Sequence, residues 1–185
     1  MEEQKIKILG IAGSLREKSF NKMLLAEAVR LAPENATVEI LDIADIPSYN
    51  QDLDEKMPQA VIDLKNKIKE SDAVLFVTPE YNYSIPGVLK NVIDWGSRPY
   101  GDNAWDKKPV AIMGATIGGF GTIRAQTHLR QTFLFTNMFP INTELYISNA
   151  SEKFDPSGHL IEDQLKVKTT SLIQNLIDWT KKLKN

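Results

Sequence analysis

The chain has no cysteine among its 185 residues. That excludes disulfides, thiolate nucleophiles, iron–sulfur clusters and cysteine-ligated zinc, so any redox chemistry must reside in a bound organic cofactor. Histidine is almost as scarce. His128 and His159 stand far apart, with no partners at metal-ligand spacing, and no metal site is expected. Neither sign of charge dominates: 22 basic against 24 acidic residues leave a net charge of −2, too little to draw nucleic acid or an anionic membrane. No apolar run approaches the roughly 18–20 residues of a membrane span. The opening Met1-Glu2-Glu3-Gln4-Lys5 has no signal-peptide core, so the cytoplasm is the expected compartment. Two nucleotide fingerprints are missing as well. Gly10 and Gly13 do not make a G-x-G-x-x-G, and G-x-x-x-x-G-K-[ST] occurs nowhere.

What is present reads as one compact domain over 1–185. The hydrophobic fraction of 42% is enough to build a full core at this length. Short β-branched runs at Ile6–Ile11, Thr37–Leu41, Ala73–Thr78, Pro109–Met113 and Ile141–Ile147 predict five strands. Apolar residues at helical spacing predict helices over Asn21–Leu31, from Val61 to about Ser71, and from about Glu162 to Leu183. Pro47 to Pro58 reads as an irregular surface loop. Alternation of this kind predicts an α/β fold, an open parallel sheet with helices on both faces. Ligands in such sheets bind beyond the carboxyl ends of the strands, so the loops after strands one, three and four should carry function.

Those three loops hold the least ordinary sequence. After strand one come Gly13, Ser14, Arg16, Ser19, Phe20 and Asn21. Hydroxyls, an amide and a guanidinium at a helix amino end form the donor set that a phosphate monoester needs. A plain N-cap would use only one of them. Arginine with hydroxyls around a single monophosphate suits a flavin mononucleotide better than a pyrophosphate. After strand three, Pro79, Glu80, Tyr81, Asn82, Tyr83 and Ser84 precede a second proline, Pro86. Such a stiff loop can wall a flat ring, or serve as a turn with exposed tyrosines. After strand four, Gly114-Ala115-Thr116-Ile117-Gly118-Gly119-Phe120-Gly121 either lets a planar ligand approach or is a flexible connection.

The runs Gly-Ser-Leu-Arg-x-x-Ser-Phe-Asn at 13–21 and Thr-Pro-Glu-Tyr-Asn-Tyr-Ser-x-Pro-Gly-x-Leu-Lys-Asn-x-Ile-Asp-Trp at 78–95 resemble the NADPH-dependent FMN reductase family, in its bacterial chromate and quinone reductase branch. The likeness continues through Arg124, Gln126, His128 to Gln131 and Glu144. It implies a flavodoxin-like three-layer α/β/α sandwich with a five-stranded parallel sheet in the order 2-1-3-4-5. It implies non-covalent FMN, with Ser14, Arg16, Ser19 and Asn21 on the phosphate and Phe20 beside them. Pro79, Glu80, Tyr81 and Asn82 would line the isoalloxazine and ribityl chain, with Tyr83 and Ser84 close by, and Ala115, Thr116 and Gly118 would close the far side. Related reductases often carry serines where Ala115 and Thr116 stand. The resemblance further implies NADPH or NADH as donor and a quinone-like small molecule as acceptor, in a ping-pong cycle that needs no catalytic side chain. It implies a homodimer or homotetramer, with Arg98, Tyr100, Arg124 and Glu144 at positions near subunit boundaries.

Other conspicuous residues read as ordinary structure. Asp42 and Asp45 follow strand two without the glycine fingerprint and read as solvated carboxylates, and His128 as a packing or hydrogen-bonding residue. Lys181, Lys182 and Lys184 form a solvated helix end. The stretch Phe133-Leu134-Phe135, near Met138 and Phe139, suits either a subunit interface or the core. The rival to an enzyme is a flavodoxin-type electron carrier, against which Arg16 and the small net charge argue. A phosphate-accepting receiver would need aspartates where Thr78-Pro79 and Ala12-Gly13-Ser14 stand. An adaptor role would leave the three loops unexplained.

Overall fold

The computed structural model describes residues 5–184. The polar opening Met1–Gln4, on which the reading of the amino terminus rests, lies outside them. The elements in order are β1 (Ile6–Ala12), α1 (Phe20–Arg30), β2 (Ala36–Leu41), α2 (Gln59–Glu70), β3 (Ala73–Val77), α3 (Gly87–Gly96), β4 (Pro109–Ala115), α4 (Ile123–Thr136), β5 (Phe139–Ile147) and α5 (Asp163–Lys184). All strand pairs are parallel and the order is β2-β1-β3-β4-β5, as expected. β3 and β4 are buried along their whole length, which is why they read as unbroken apolar runs rather than alternating ones.

The two faces of the sheet carry separate cores. On one, Leu24, Leu25 and Ala28 of α1 pack with Leu165, Leu172, Ile173, Leu176 and Ile177 of α5. On the other, α2, α3 and α4 contribute Val61, Leu64, Ile68, Leu89, Val92, Ile93, Trp95, Leu129 and Phe133. Each large aliphatic buried this way contributes about 1.5–3 kcal/mol.

Two helices were not set out by periodicity. α3 begins at Pro86-Gly87, residues that ordinarily break a helix, yet proline as N-cap and Leu89, Val92 and Ile93 at helical spacing support it. α4 shows a weaker pattern because it carries Leu134 and Phe135 outward. The supposed loop at Pro47–Pro58 contains a 3₁₀ turn at Gln51–Leu53. It is tied to α3 by the Asn91 amide and the Trp95 indole, both donating to the Pro47 carbonyl at 2.9 and 2.8 Å.

The segment between β5 and α5 is fastened to α1. The buried carboxylate of Glu27 accepts from Arg30, from the Leu160 N–H at 3.3 Å, and meets His159 Nδ1 at 2.8 Å. Burial alone would raise its pKa, but the Arg30, His159 and Leu160 hydrogen bonds outweigh it and hold the group at about 2. The clamp therefore stays charged throughout the neutral and mildly acid range. Phe154 of this segment stacks on Phe20, with centroids 5.7 Å apart.

Candidate functional site

The carboxyl ends of β1, β3 and β4 meet at a cleft of about 230 Å³ lined by Ser14, Arg16, Ser19, Phe20, Asn21, Pro79, Glu80, Tyr81, Ala115, Thr116 and Ile117. It brings together ten of the residues singled out from the sequence. Asn82, Tyr83, Ser84 and Gly118 are not part of its lining. A larger cleft of about 320 Å³ lies between β5 and α5, at Pro140, Asn175 and Trp179, away from the strand ends and from these loops.

At one end of the cleft the chain presents donors. Gly13 follows β1 and binds the Val77 carbonyl through its N–H at 2.8 Å. Its φ is unremarkable. A Cβ there would come within 3.0 Å of Leu89, so glycine serves close packing against α3 rather than a tight turn. Ser19 is the N-cap of α1, its hydroxyl oxygen accepting from Asn21 N–H at 3.2 Å and Lys22 N–H at 3.4 Å. An oxygen that accepts twice still has its proton to donate. Ser14 is buried, and Arg16 is exposed, with no carboxylate paired to its side chain among the described residues. These groups, with the positive end of α1, form a donor set with the chemistry of a phosphate pocket.

Asn21 lines the cleft and also joins two elements. Its amide nitrogen donates to the Ala115 carbonyl at 2.8 Å, and its amide oxygen accepts from Ala115 N–H at 2.9 Å. The side chain thus bridges α1 to β4 with its oxygen and one of its two amide hydrogens. Ala115 is corrected with it: the residue is the last of β4, paired with Ile147, and not part of a free loop. Both of its backbone groups belong to Asn21. The irregular segment starts at Thr116, whose N–H donates to Ile147 at 2.9 Å and whose carbonyl accepts from Ala150 at 2.9 Å. Gly114 is required just before it. A Cβ there would meet Thr122 Oγ1 at 2.1 Å and the Thr78 carbonyl at 2.3 Å.

The loop after β3 is a small hairpin. Tyr81 and Ser84 exchange backbone hydrogen bonds at 3.0 and 2.9 Å, and the residues between them, Asn82 and Tyr83, have φ of 50° and 65°. Both central residues are left-handed, as a type I′ turn requires, and the tyrosine is an uncommon occupant of that region. Asn82, Tyr83 and Ser84 are not among the residues that line the cleft. Ser84 Oγ instead meets His128 Nδ1 at 2.9 Å, giving that histidine the hydrogen bond expected of it. Glu80 borders the cleft, but its carboxylate turns to the amino end of α4, accepting from the backbone of Arg124 and Ala125. The Tyr81 ring remains half exposed at the rim. Sequence reasoning missed Ile117, an apolar side chain 70% exposed beside the cleft. Its only sequence signal was an isolated aliphatic in a glycine-rich stretch.

Arg98 and Tyr100 lie apart from the cleft lining. The Arg98 guanidinium pairs with Asp54 at 2.5 Å and stacks under Tyr100 at 3.9 Å. Glu144 pairs with Arg130 at 3.1 Å. Phe133 and Met138 are core, whereas Leu134 and Phe135 are more than 80% exposed. Among the described residues no helix is long and apolar enough to cross a membrane.

The sequence profile described as NADPH-dependent FMN reductase matches residues 6–152. An NAD(P)H-dependent FMN reductase of Pseudomonas aeruginosa is 46% identical over 97% of this chain and 97% of its own length. A 2-hydroxy-1,4-benzoquinone reductase of a Burkholderia species is 37% identical, covering 95% and 97%. The solved structure of FerB, a flavoenzyme NAD(P)H:(acceptor) oxidoreductase from Paracoccus denitrificans, superposes with a TM-score of 0.89 at 36% identity, over 96% of this chain and 98% of that one.

Proposed function

This chain belongs to the NADPH-dependent FMN reductase family, and on that basis we propose that it is an NAD(P)H-dependent oxidoreductase that holds FMN non-covalently and reduces small acceptors of the quinone class. The observation that carries this reading is the joining of an uncommitted guanidinium, two serine hydroxyls and a helix amino end at one side of a cleft walled by Pro79–Tyr81 and Thr116-Ile117. Residues 1–185 work as one FMN-binding domain.

When bound, FMN supplies the redox chemistry, taking a hydride from the nicotinamide and passing electrons to the acceptor. The protein's own residues position and polarise. Ser14, Ser19 and Arg16 hold the phosphate. Pro79 to Tyr81 support the ring from one side, and the Thr116–Ile117 segment lies opposite. No side chain is required as nucleophile or general base, because the bound cofactor carries the chemistry. The rim, with Tyr81 and Ile117 exposed, offers a planar acceptor an apolar seat. The resemblance places Asn82, Tyr83, Ser84 and Gly118 near the cofactor as well, next to the residues that line the cleft.

The purified protein is expected to be yellow, to bleach on addition of NADPH or NADH without any partner protein, and to give parallel double-reciprocal lines when donor and quinone are varied. A colourless protein indifferent to added FMN overturns the reading. Bleaching that needs a second protein would favour the electron-carrier alternative, and intersecting lines would reject a shared donor and acceptor site.

The working form is proposed to be a homodimer or homotetramer. Supporting it are Leu134, Phe135, Phe120 and Tyr83, each at least two-thirds exposed, along α4 and the loops at its amino end. Adjacent large apolar side chains left exposed, as Leu134 and Phe135 are, commonly mark an association surface. Sedimentation equilibrium is expected to return at least twice the 20.8 kDa chain mass. A monomer at micromolar concentration rejects the proposal.

A further inference from the structure

We propose that Glu80 is a positioning residue for the flavin site, acting through the amino end of α4 and not through the cleft. This deepens the reading above and rests on it. The Glu80 side chain is only 10% exposed. One carboxylate oxygen accepts from the backbone N–H groups of Arg124 at 2.9 Å and Ala125 at 3.2 Å. The other accepts from Arg124 Nη1 at 3.0 Å. α4 has need of such an acceptor, because Thr122, at its N-cap position, makes no side-chain capping bond. The free N–H groups of a first helical turn favour a negative charge placed against them. That charge comes here from a residue 44 positions earlier.

The same arginine closes a ring of contacts. Its guanidinium lies 4.0 Å from the centroid of the Tyr83 ring, and Tyr83 occupies the left-handed turn immediately after Glu80 and Tyr81. Two non-glycine residues at positive φ persist only where the surroundings hold them. Glu80 holds one end of that turn against α4, and Arg124 presses on its tip. Since Pro79, Glu80 and Tyr81 are the cleft wall, the carboxylate fixes the wall by a bond that points away from the cofactor. The next phenylalanine, Phe120, stands 5.1 Å from the same guanidinium, so the latch also borders the exposed rim.

A carboxylate that merely stabilised the fold would change the melting temperature and leave cofactor affinity alone. The test is therefore titration of FMN, by quenching of its fluorescence, into the cofactor-free protein and its Glu80→Gln, Glu80→Ala, Arg124→Ala and doubly substituted forms, with thermal unfolding of each cofactor-free protein alongside. Glu80→Ala is expected to weaken FMN binding by about 10-fold or more. Glu80→Gln keeps an acceptor for the two backbone N–H groups and should recover most of that loss. The double variant should bind no worse than Glu80→Ala, because the two side chains act through one another. Equal FMN affinity in all forms overturns the proposal. So does a Glu80→Ala protein that fails to fold while Glu80→Gln binds like the parent and a single Arg124→Ala does too. Should the parent itself not bind FMN, the flavin reading fails rather than the latch.

Discussion

Replacing Asn21 by alanine is expected to lower the thermal midpoint of the cofactor-free protein by roughly 5–15 °C, and to abolish most FMN binding with it. The reasoning starts from burial. Asn21 is 3% exposed and its amide satisfies both backbone groups of Ala115, which is 2% exposed. Alanine at 21 leaves a donor and an acceptor unpaired where water enters poorly. Each such group costs about 1–3 kcal/mol. The damage is not confined to stability, because α1 presents Ser19 and β4 leads into Thr116, and the amide is the bolt between these two sides of the cleft. Amide hydrogen exchange at Ala115 provides the direct check: slow in the parent, it should become markedly faster in the variant. An unchanged midpoint and an unchanged exchange rate would refute the assignment of Asn21 as a bridge.

Arg16→Ala is expected to separate the two properties that Asn21 couples. The guanidinium is exposed and unpaired among the described residues, so nothing in the fold depends on it. Its loss should leave the melting temperature of the cofactor-free protein within about 2 °C of the parent, as for surface changes in general. FMN affinity should fall by about 10- to 100-fold, the value of one charge-assisted contact to a phosphate at roughly 1.5–3 kcal/mol. The loss should shrink at high salt, since the parent's advantage is itself partly screened there. Fluorescence titration at two ionic strengths measures both effects. A full flavin complement at low FMN concentration in Arg16→Ala would show that the phosphate is held by serines and backbone alone.

The two variants also show how far residue type is a guide. Ser14, Arg16, Ser19 and Asn21 carry similar polar chemistry in the sequence, and all four line the cleft. That Ser19 also caps α1 is within reach of the sequence because capping is local: its partners are two and three residues away. The bridge that Asn21 makes is not legible in the same way, because its partner is 94 residues distant. Glu80 presents the same difficulty across 44 residues. For Asn82, Tyr83 and Ser84 the obstacle was different. The residues belong to a recognisable loop, but the left-handed backbone at Asn82 and Tyr83 is unusual for tyrosine and could not be inferred from propensity.

The sequence by itself determined the architecture and the region of the site. Unbroken β-branched runs alternating with helical spacing admit one economical solution, a parallel sheet covered on both faces, and such a sheet gathers its polar loops at one rim. The absence of cysteine and of the glycine fingerprints narrowed what that rim can hold. Only the tertiary structure decided which polar side chains at the rim face the cleft and which are consumed in holding it together. The physical reason is that a buried hydrogen-bonding group must find a partner, and whether that partner is a ligand or a distant stretch of backbone depends on where the packed layers bring the chain.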